Sequence, residues 1–359
     1  MESETETSSP AAGTLAPRSP LARPELAEAL RAALRRRAAP ATLAAHTYDL
    51  AAWARWCGAN GVPEPLGEGH PADLDLDIAW TLDQSREGHR LSSIRRRLAS
   101  LSWAHRARGL ASPCREDRVR AVLEGLARDP ERPRERQRAP LGVAEVQTVV
   151  SAVVATMARG EWSLAEGTRA IAAVCLGLAT ALRCDDLARL RLEDVTAVPW
   201  GLSVLVRRSK TDQTGAGRAV DVLALPGELH DPVSALLAWK RAAHLEGWGE
   251  ELPARGLLFR ATLRNGRSFP RCPGIAAASL AKEIARAAEL AGLPVPPGSA
   301  GYGGHSLRAG FVTEARRKGV HWVEIMDQTG HKRIETVKRY DRTGAESPAR
   351  LETLRRVFT

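Results

Sequence analysis

The stretch 201-GLSVLVRRSKTDQTGAGRAVDVLA-224 decides the class of fold. Residues 201–207 and 218–224 are short runs rich in Val and Leu, the composition of strands. Between them, 208-RSKTDQTGAG-217 is polar and carries two glycines, so it reads as a turn. A β-hairpin is predicted here. On both sides of it the apolar residues recur at helical spacing, over 142–158 and 165–179 before it and over 231–246, 273–292 and 305–318 after it. The chain is therefore expected to be mainly α with a small β-sheet.

Helical patterning also fills residues 24–128. In 43-LAAHTYDLAAWARWC-57, Leu43, Leu50, Trp53 and Cys57 share a face. In 91-LSSIRRRLASLSWAHRARG-109, Leu91, Ile94, Leu98 and Leu101 form a stripe. Arg96 lies opposite that stripe with Arg95 and Arg97 on its flanks, which makes the three candidates for phosphate contact as well as for an ordinary solvated face. The pattern stops at 128-RDPERPRERQRAP-140, which has three prolines and no apolar residue but Ala139. It reads as an extended linker, whose arginines, Arg134 and Arg136 among them, suit a nucleic-acid backbone or simply keep a linker soluble. The expected organisation is a disordered N-terminus over 1–22, a helical domain over 23–128, the linker over 129–140 and a second domain over 141–345. A short amphipathic helix follows at 346–359, with Leu351, Leu354 and Phe358 on one side.

A chain of 359 residues exceeds what one core usually holds, which agrees with two domains. The formal net charge is +10, and Arg supplies 46 of the 52 basic residues. Guanidinium groups grip phosphates bidentately and keep their charge, so a polyanionic partner is expected. The five cysteines stand singly with no metal-ligand spacing, which argues against zinc and against a disulfide framework. The N-terminus has no apolar signal core, and the longest apolar runs, such as 171-IAAVCLGLATAL-182, are too short to span a bilayer. A cytoplasmic protein without membrane association is expected.

Four separated pieces carry chemistry. They are Arg183 in 180-TALRCDDLARLRLEDV-195, Lys210 on the hairpin tip, His305 and Arg308 in 305-HSLRAGF-311, and Gly330-His331 followed by Tyr340 in 329-TGHKRIETVKRYDR-342. Each is weak alone. Arg183 by itself reads more readily as an ion-pair partner of Asp185 or Asp186 than as a ligand. A second H-x-x-R, 105-HRAR-108, reads as surface decoration. A tyrosine among Lys332, Arg333, Lys338, Arg339 and Arg342 is an odd core residue but a sensible one to meet a phosphate.

As an ordered set these pieces resemble the tyrosine recombinases, or phage integrases. T-A-L-R-x-x-D-L is similar to the family's first arginine box, R-x-S-K-T-D to its hairpin lysine, and H-S-L-R-A-G-F and T-G-H-K-x-x-x-T-x-x-R-Y to its later boxes. The resemblance runs from about Ala41 to Tyr340. Four positions depart from the pattern: Ala181 replaces the usual Gly, Asp186 the usual Glu and Thr329 the usual Leu, while His46 stands where Tyr is common. None removes a reacting group.

The resemblance implies a two-domain architecture, a helical SAM-like core-binding domain plus an α+β catalytic domain, closing around double-stranded DNA. A phosphodiester repels nucleophiles, so its charge must be neutralised, an attacking oxygen aligned and a leaving oxygen protonated. The family assigns the first task to Arg183, Arg308 and His331. It assigns the attack to Tyr340, help with its proton to His305, and protonation of the departing 5′-oxygen to Lys210. A 3′-phosphotyrosyl intermediate results, with no cofactor and no metal. The implied function is site-specific recombination for integration, excision or transposition of a mobile element. A homo-tetramer would act on paired sites with accessory DNA-bending factors, its C-terminal helix exchanged between protomers. A type IB topoisomerase and a DNA-binding protein without catalysis are the alternatives.

Overall fold

The structure, a computed structural model, describes residues 40–62, 74–132, 136–207, 217–245, 256–263, 265–268 and 271–343. The expected N-terminal segment 1–22, Arg134, Lys210 and the helix at 346–359 lie outside these residues. The chain divides into two compact units, residues 1–135 and 136–359, and the break falls inside the Arg/Pro-rich segment.

The first unit is helical: α1 (Pro40–Ala59), α2 (Leu74–Arg86), α3 (Leu91–Ala107) and α4 (Asp117–Arg128). Its core is built on Trp53, Trp80, Ile94, Leu98, Leu101 and Val119, with Trp53 set edge-on to Trp80 at 4.9 Å between ring centroids. Leu43 and Leu50 flank the buried Trp53 and Cys57 at partial exposure. Asp49, fully buried on α1, accepts hydrogen bonds from Ser100 Oγ and Arg96 Nη1 of α3, both at 2.8 Å. His46 meets the same Ser100 at 2.8 Å and stacks on Trp103. His105 is not surface decoration. It is 3% exposed with its Nδ1 3.0 Å from the Leu101 carbonyl, because position 105 continues the Ile94–Leu98–Leu101 stripe.

The second unit comprises α5 (Val143–Ala158), α6 (Leu164–Thr180), α7 (Cys184–Ala188), strands β1 (Val195–Val198), β2 (Gly201–Val206) and β3 (Arg218–Leu223), then α8 (Pro232–Ala242), α9 (Ala277–Leu290), α10 (Ser306–Arg317), α11 (Trp322–Thr329) and α12 (Ile334–Lys338). The strands form an antiparallel meander in which Leu202 faces Val222 and Val206 faces Arg218. β1 was not expected; it pairs with β2 from Val195 opposite Val204. The sheet buries Leu202, Val204, Val206, Val220 and Val222.

Helix α6 is the axis of this unit. Ser163 and Glu166 cap its start reciprocally, the Glu166 N–H donating to Ser163 Oγ and the Ser163 N–H to Glu166 Oε2, each at 3.2 Å. Ala and Gly supply seven of its 17 residues, so α5, α8, α9, α10 and β3 all pack closely around it. Arg169 on α6 grips the carboxylate of Glu283 on α9, and the Trp239 indole donates to the Leu258 carbonyl at 2.9 Å.

The end of the linker is not free-running chain. The Ala139 and Leu141 N–H groups donate to the Gly301 and Ser306 carbonyls, both at 2.9 Å, and Ala139 is buried. This lays residues 137–142 along the start of α10. Gly310 makes the contact possible: a Cβ there would sit 1.7 Å from the Leu141 carbonyl oxygen. Backbone cannot yield as a side chain can, so Gly310→Ala is expected to destabilise this unit by about 3 kcal/mol. Urea unfolding measures it; a loss under about 1 kcal/mol would mean that α10 shifts freely.

α6 is closed off by Ala181, the residue after its last, which takes the left-handed conformation with φ 50° and ψ 25°. This is where the related pattern has glycine. Left-handed backbone costs a Cβ-bearing residue about 1–2 kcal/mol, and glycine surrenders about half of that gain to the greater freedom of its unfolded chain. Ala181→Gly is therefore expected to stabilise the protein by about 0.5–1 kcal/mol, read as a higher urea midpoint at constant slope.

Candidate active site

Arg308, in the first turn of α10, is 1% exposed. Its Nη1 donates to the Ala181 carbonyl and its Nη2 to the Thr329 carbonyl, each at 2.7 Å. Both acceptors lie at helix ends: α6 stops at Thr180 and α11 at Thr329, where Gly330 caps with φ 67°. Terminal carbonyls have no partner within their helix and carry the negative end of its dipole. Two such ends aimed at one guanidinium make a socket for a buried cation. Burial, and then the Arg183 guanidinium, push the Arg308 pKa down to about 9, so the group stays charged at neutral pH. Its Nε–H is buried and has no acceptor among the described residues.

His331 follows the cap. The Thr329 hydroxyl lies 2.6 Å from the Ile325 carbonyl and 2.8 Å from His331 Nδ1. A carbonyl only accepts, so the hydroxyl hydrogen points at Ile325 and the Nδ1–H of His331 donates to Thr329 Oγ1. Thr329, a departure from the related pattern, thus sets the tautomer. Arg308 Nη2 is 2.9 Å from Nε2 and 3.2 Å from Nδ1. The two ring nitrogens flank a single carbon, so a donor nearly equidistant from both lies over the ring face rather than along a lone pair. Burial first, then Arg308, Arg183 and Arg218, pull the His331 pKa down to about 3. The imidazole is neutral at neutral pH.

The Tyr340 hydroxyl lies 3.5 Å from His305 Nδ1, and its ring sits 5.4 Å from Arg308 Cζ and 5.4 Å from the His331 ring. Two features hold it. Val312, Ala315, Ile325 and Val337 form a small separate core against which Tyr340 packs. Thr313, on the same helix as Arg308, donates to the Tyr340 carbonyl at 3.3 Å and accepts from the Arg342 N–H at 3.2 Å. His305 caps α10 and is exposed.

Arg183 precedes α7, its Nη1 3.8 Å from Asp186, which also receives Arg189 Nη2 at 3.2 Å. Arg183, Arg308 and His331 couple electrostatically, and Arg308, His331, His305 and Tyr340 meet in space. A further cation joins them: Arg218 at the start of β3, whose Nη1 donates to the Asp327 carbonyl at 3.1 Å. The period-two pattern that places position 218 on the same face as Val220 and Val222 is the signal for it.

The remaining arginines differ among themselves. Arg95 and Arg136 are exposed. Arg96 is about half exposed and tied to Asp49. Arg97 turns into the first unit, 11% exposed, and donates to Gln84 at 2.9 Å. Among the described residues no helix is long and apolar enough to cross a membrane.

Residues 147–346, more than half of the chain, match the phage integrase family. Over 311 residues the chain is 27% identical to an integrase/recombinase XerD homolog of Selenomonas ruminantium, covering 84% of this chain and 82% of that protein. It is 24% identical over 295 residues to the Cre recombinase of Escherichia phage P1, covering 81% and 80%. Its fold is similar to that of a lambda integrase dimer bound to a COC′ core site, with TM-score 0.55, 18% identity and coverage of 89% and 95%. It is also similar to a lambda integrase tetramer bound to a Holliday junction, with TM-score 0.52, 19% identity and coverage of 85% and 72%. The clustered guanidiniums, the neutral imidazole and the phenol thus sit in a family context, and the chain belongs to the phage integrase family of tyrosine recombinases, which cleave and rejoin DNA through a covalent tyrosine intermediate.

Proposed function

We propose that this recombinase exchanges strands between specific duplex sites of a mobile element, acting as a homo-tetramer on paired sites in the cytoplasm with DNA-bending accessory factors. Tyr340 is the nucleophile. Its oxygen attacks the phosphorus as its proton passes to His305, and the bond to the 5′-oxygen breaks. That oxygen takes a proton from Lys210, leaving a 3′-phosphotyrosyl bond and a free 5′-hydroxyl. Arg183 and Arg308 hold the non-bridging oxygens, and the buried, unpartnered Nε–H of Arg308 is one donor for them. His331 donates through Nε2 in its other tautomer, reached when water takes the Nδ1 proton and another water protonates Nε2, while the Thr329 hydroxyl turns from Ile325 to donate to Nδ1. Resealing runs the same steps backwards with a partner strand's 5′-hydroxyl. Arg95, Arg96, Arg97, Arg134 and Arg136 contact the DNA backbone, Arg97 after release from Gln84.

The observation that carries this reading is a phenol 3.5 Å from an imidazole with its ring over a buried guanidinium. A duplex from inverted repeats flanking the gene, nicked just beyond the target phosphate so that the short fragment with the freed 5′-hydroxyl escapes, tests it. The protein should become covalently joined to the 3′ end, and peptide mapping should find the phosphate on Tyr340. Absence of any adduct, or an adduct on another residue, refutes it.

A further inference from the structure

The charges around the site do not balance. Arg183, Arg218 and Arg308 are mutually coupled cations. The carboxylate coupled to all three is Asp186, which Arg189 already shares. Among the described residues no carboxylate lies within ion-pair distance of Arg218. Its side chain is half-buried, and burial followed by the opposition of Arg183 lowers its pKa against the pull of Asp186. A cation is not drawn from water into like charge without something to hold it there.

What holds it is backbone. Nη1 donates to the Asp327 carbonyl near the end of α11, and the guanidinium lies flat against Gly330, where an added Cβ would come 2.8 Å from Nε and 3.1 Å from Cζ. Arg308 bonds the Thr329 carbonyl and covers the His331 ring. The tripeptide Thr329-Gly330-His331 therefore separates two guanidiniums, each anchored by a carbonyl of α11. One carboxylate, Asp186, shared among three guanidiniums leaves a net positive charge there, which suits a phosphate.

We infer that Arg218 is a further phosphate-binding residue of the site, a guanidinium that meets the same target phosphodiester as Arg183 and Arg308 from the β3 side. The inference rests on the recombinase reading above.

The test compares single-turnover cleavage of two nicked duplexes, one with the ordinary phosphodiester and one with an uncharged methylphosphonate at the target position. Arg218→Gln should slow the ordinary substrate by about 100-fold, as loss of one oxyanion donor does, and the methylphosphonate substrate by about 5-fold or less, because there is less charge to neutralise. Gln328→Ala is the structural control. Gln328 bonds the Ala179 and Asp221 carbonyls at 2.9 and 3.2 Å and so braces the same joint without charge; its loss should affect both substrates alike. Equal relative losses for Arg218→Gln on the two substrates, or less than about 3-fold on the ordinary one, overturn the inference. If the wild type leaves the methylphosphonate intact, or Arg218→Gln does not fold, Arg218→Lys decides on the ordinary substrate. Retained charge should keep it within about 10-fold of wild type, and a loss of about 100-fold or more counts against the inference. A wild type that forms no adduct with the ordinary duplex indicts the recombinase reading instead.

Discussion

Tyr340→Phe is expected to bind the duplex with wild-type affinity and to form no covalent adduct, cleavage falling by at least about 10⁴-fold as in other losses of a nucleophile. The fold should survive the change. Tyr340 is packed through its ring against the cluster of Val312, Ala315, Ile325 and Val337, and its backbone is held by Thr313. Among the described residues the hydroxyl's partner is His305 at a long 3.5 Å, so removing it breaks little. Thermal melting within about 2 °C of wild type would confirm that only chemistry is lost. Residual adduct formation would place the nucleophile elsewhere, and the remaining tyrosines are poor substitutes. The Tyr302 hydroxyl donates to the Pro294 carbonyl at 3.0 Å, and Tyr48 belongs to the first unit.

Arg308→Ala should have the opposite profile, with chemistry and stability failing together. The side chain is buried and answers the Ala181 and Thr329 carbonyls. Its removal orphans both acceptors and opens a cavity between two helix ends, at a cost of about 3–5 kcal/mol. For a unit of this size that lowers the melting temperature by about 10 °C. Cleavage should fall by about 10³-fold beyond what unfolding explains, because a phosphate-neutralising donor is gone. Arg308→Lys separates the two effects. An ammonium keeps the charge but cannot reach both carbonyls and the phosphate with one planar fork, so stability should recover more than cleavage. If Arg308→Lys cleaves as fast as wild type, charge alone suffices and the fork geometry is irrelevant.

The hairpin and the long helices of the second unit were legible because their signals are local. Val and Leu in two short runs around a polar, glycine-bearing turn specify β2 and β3, and apolar residues at helical spacing over 165–179 specify α6. β1 escaped because Val195–Val198 is four residues long and buries none of them, Thr196 and Ala197 being exposed; its pairing with β2 is tertiary information. His105 could have been placed from the sequence, since it lies four residues beyond Leu101 on the buried stripe, but its polarity disguised the periodicity. Arg218 was hidden likewise by charge at the end of an alternating strand. The six positions proposed to react were readable only as an ordered set. No local rule says that the carbonyls of Ala181 and Thr329, separated by some 150 residues of chain, face one guanidinium.

The socket around Arg308 has an evolutionary corollary. Its walls are main-chain oxygens, which every amino acid possesses. Positions 181 and 329 can therefore exchange side chains, alanine for glycine or threonine for leucine, without dismantling the receptor for the arginine between them. Lineages can drift at these flanks while the arginine keeps its seat, provided that the two helices continue to stop where they do.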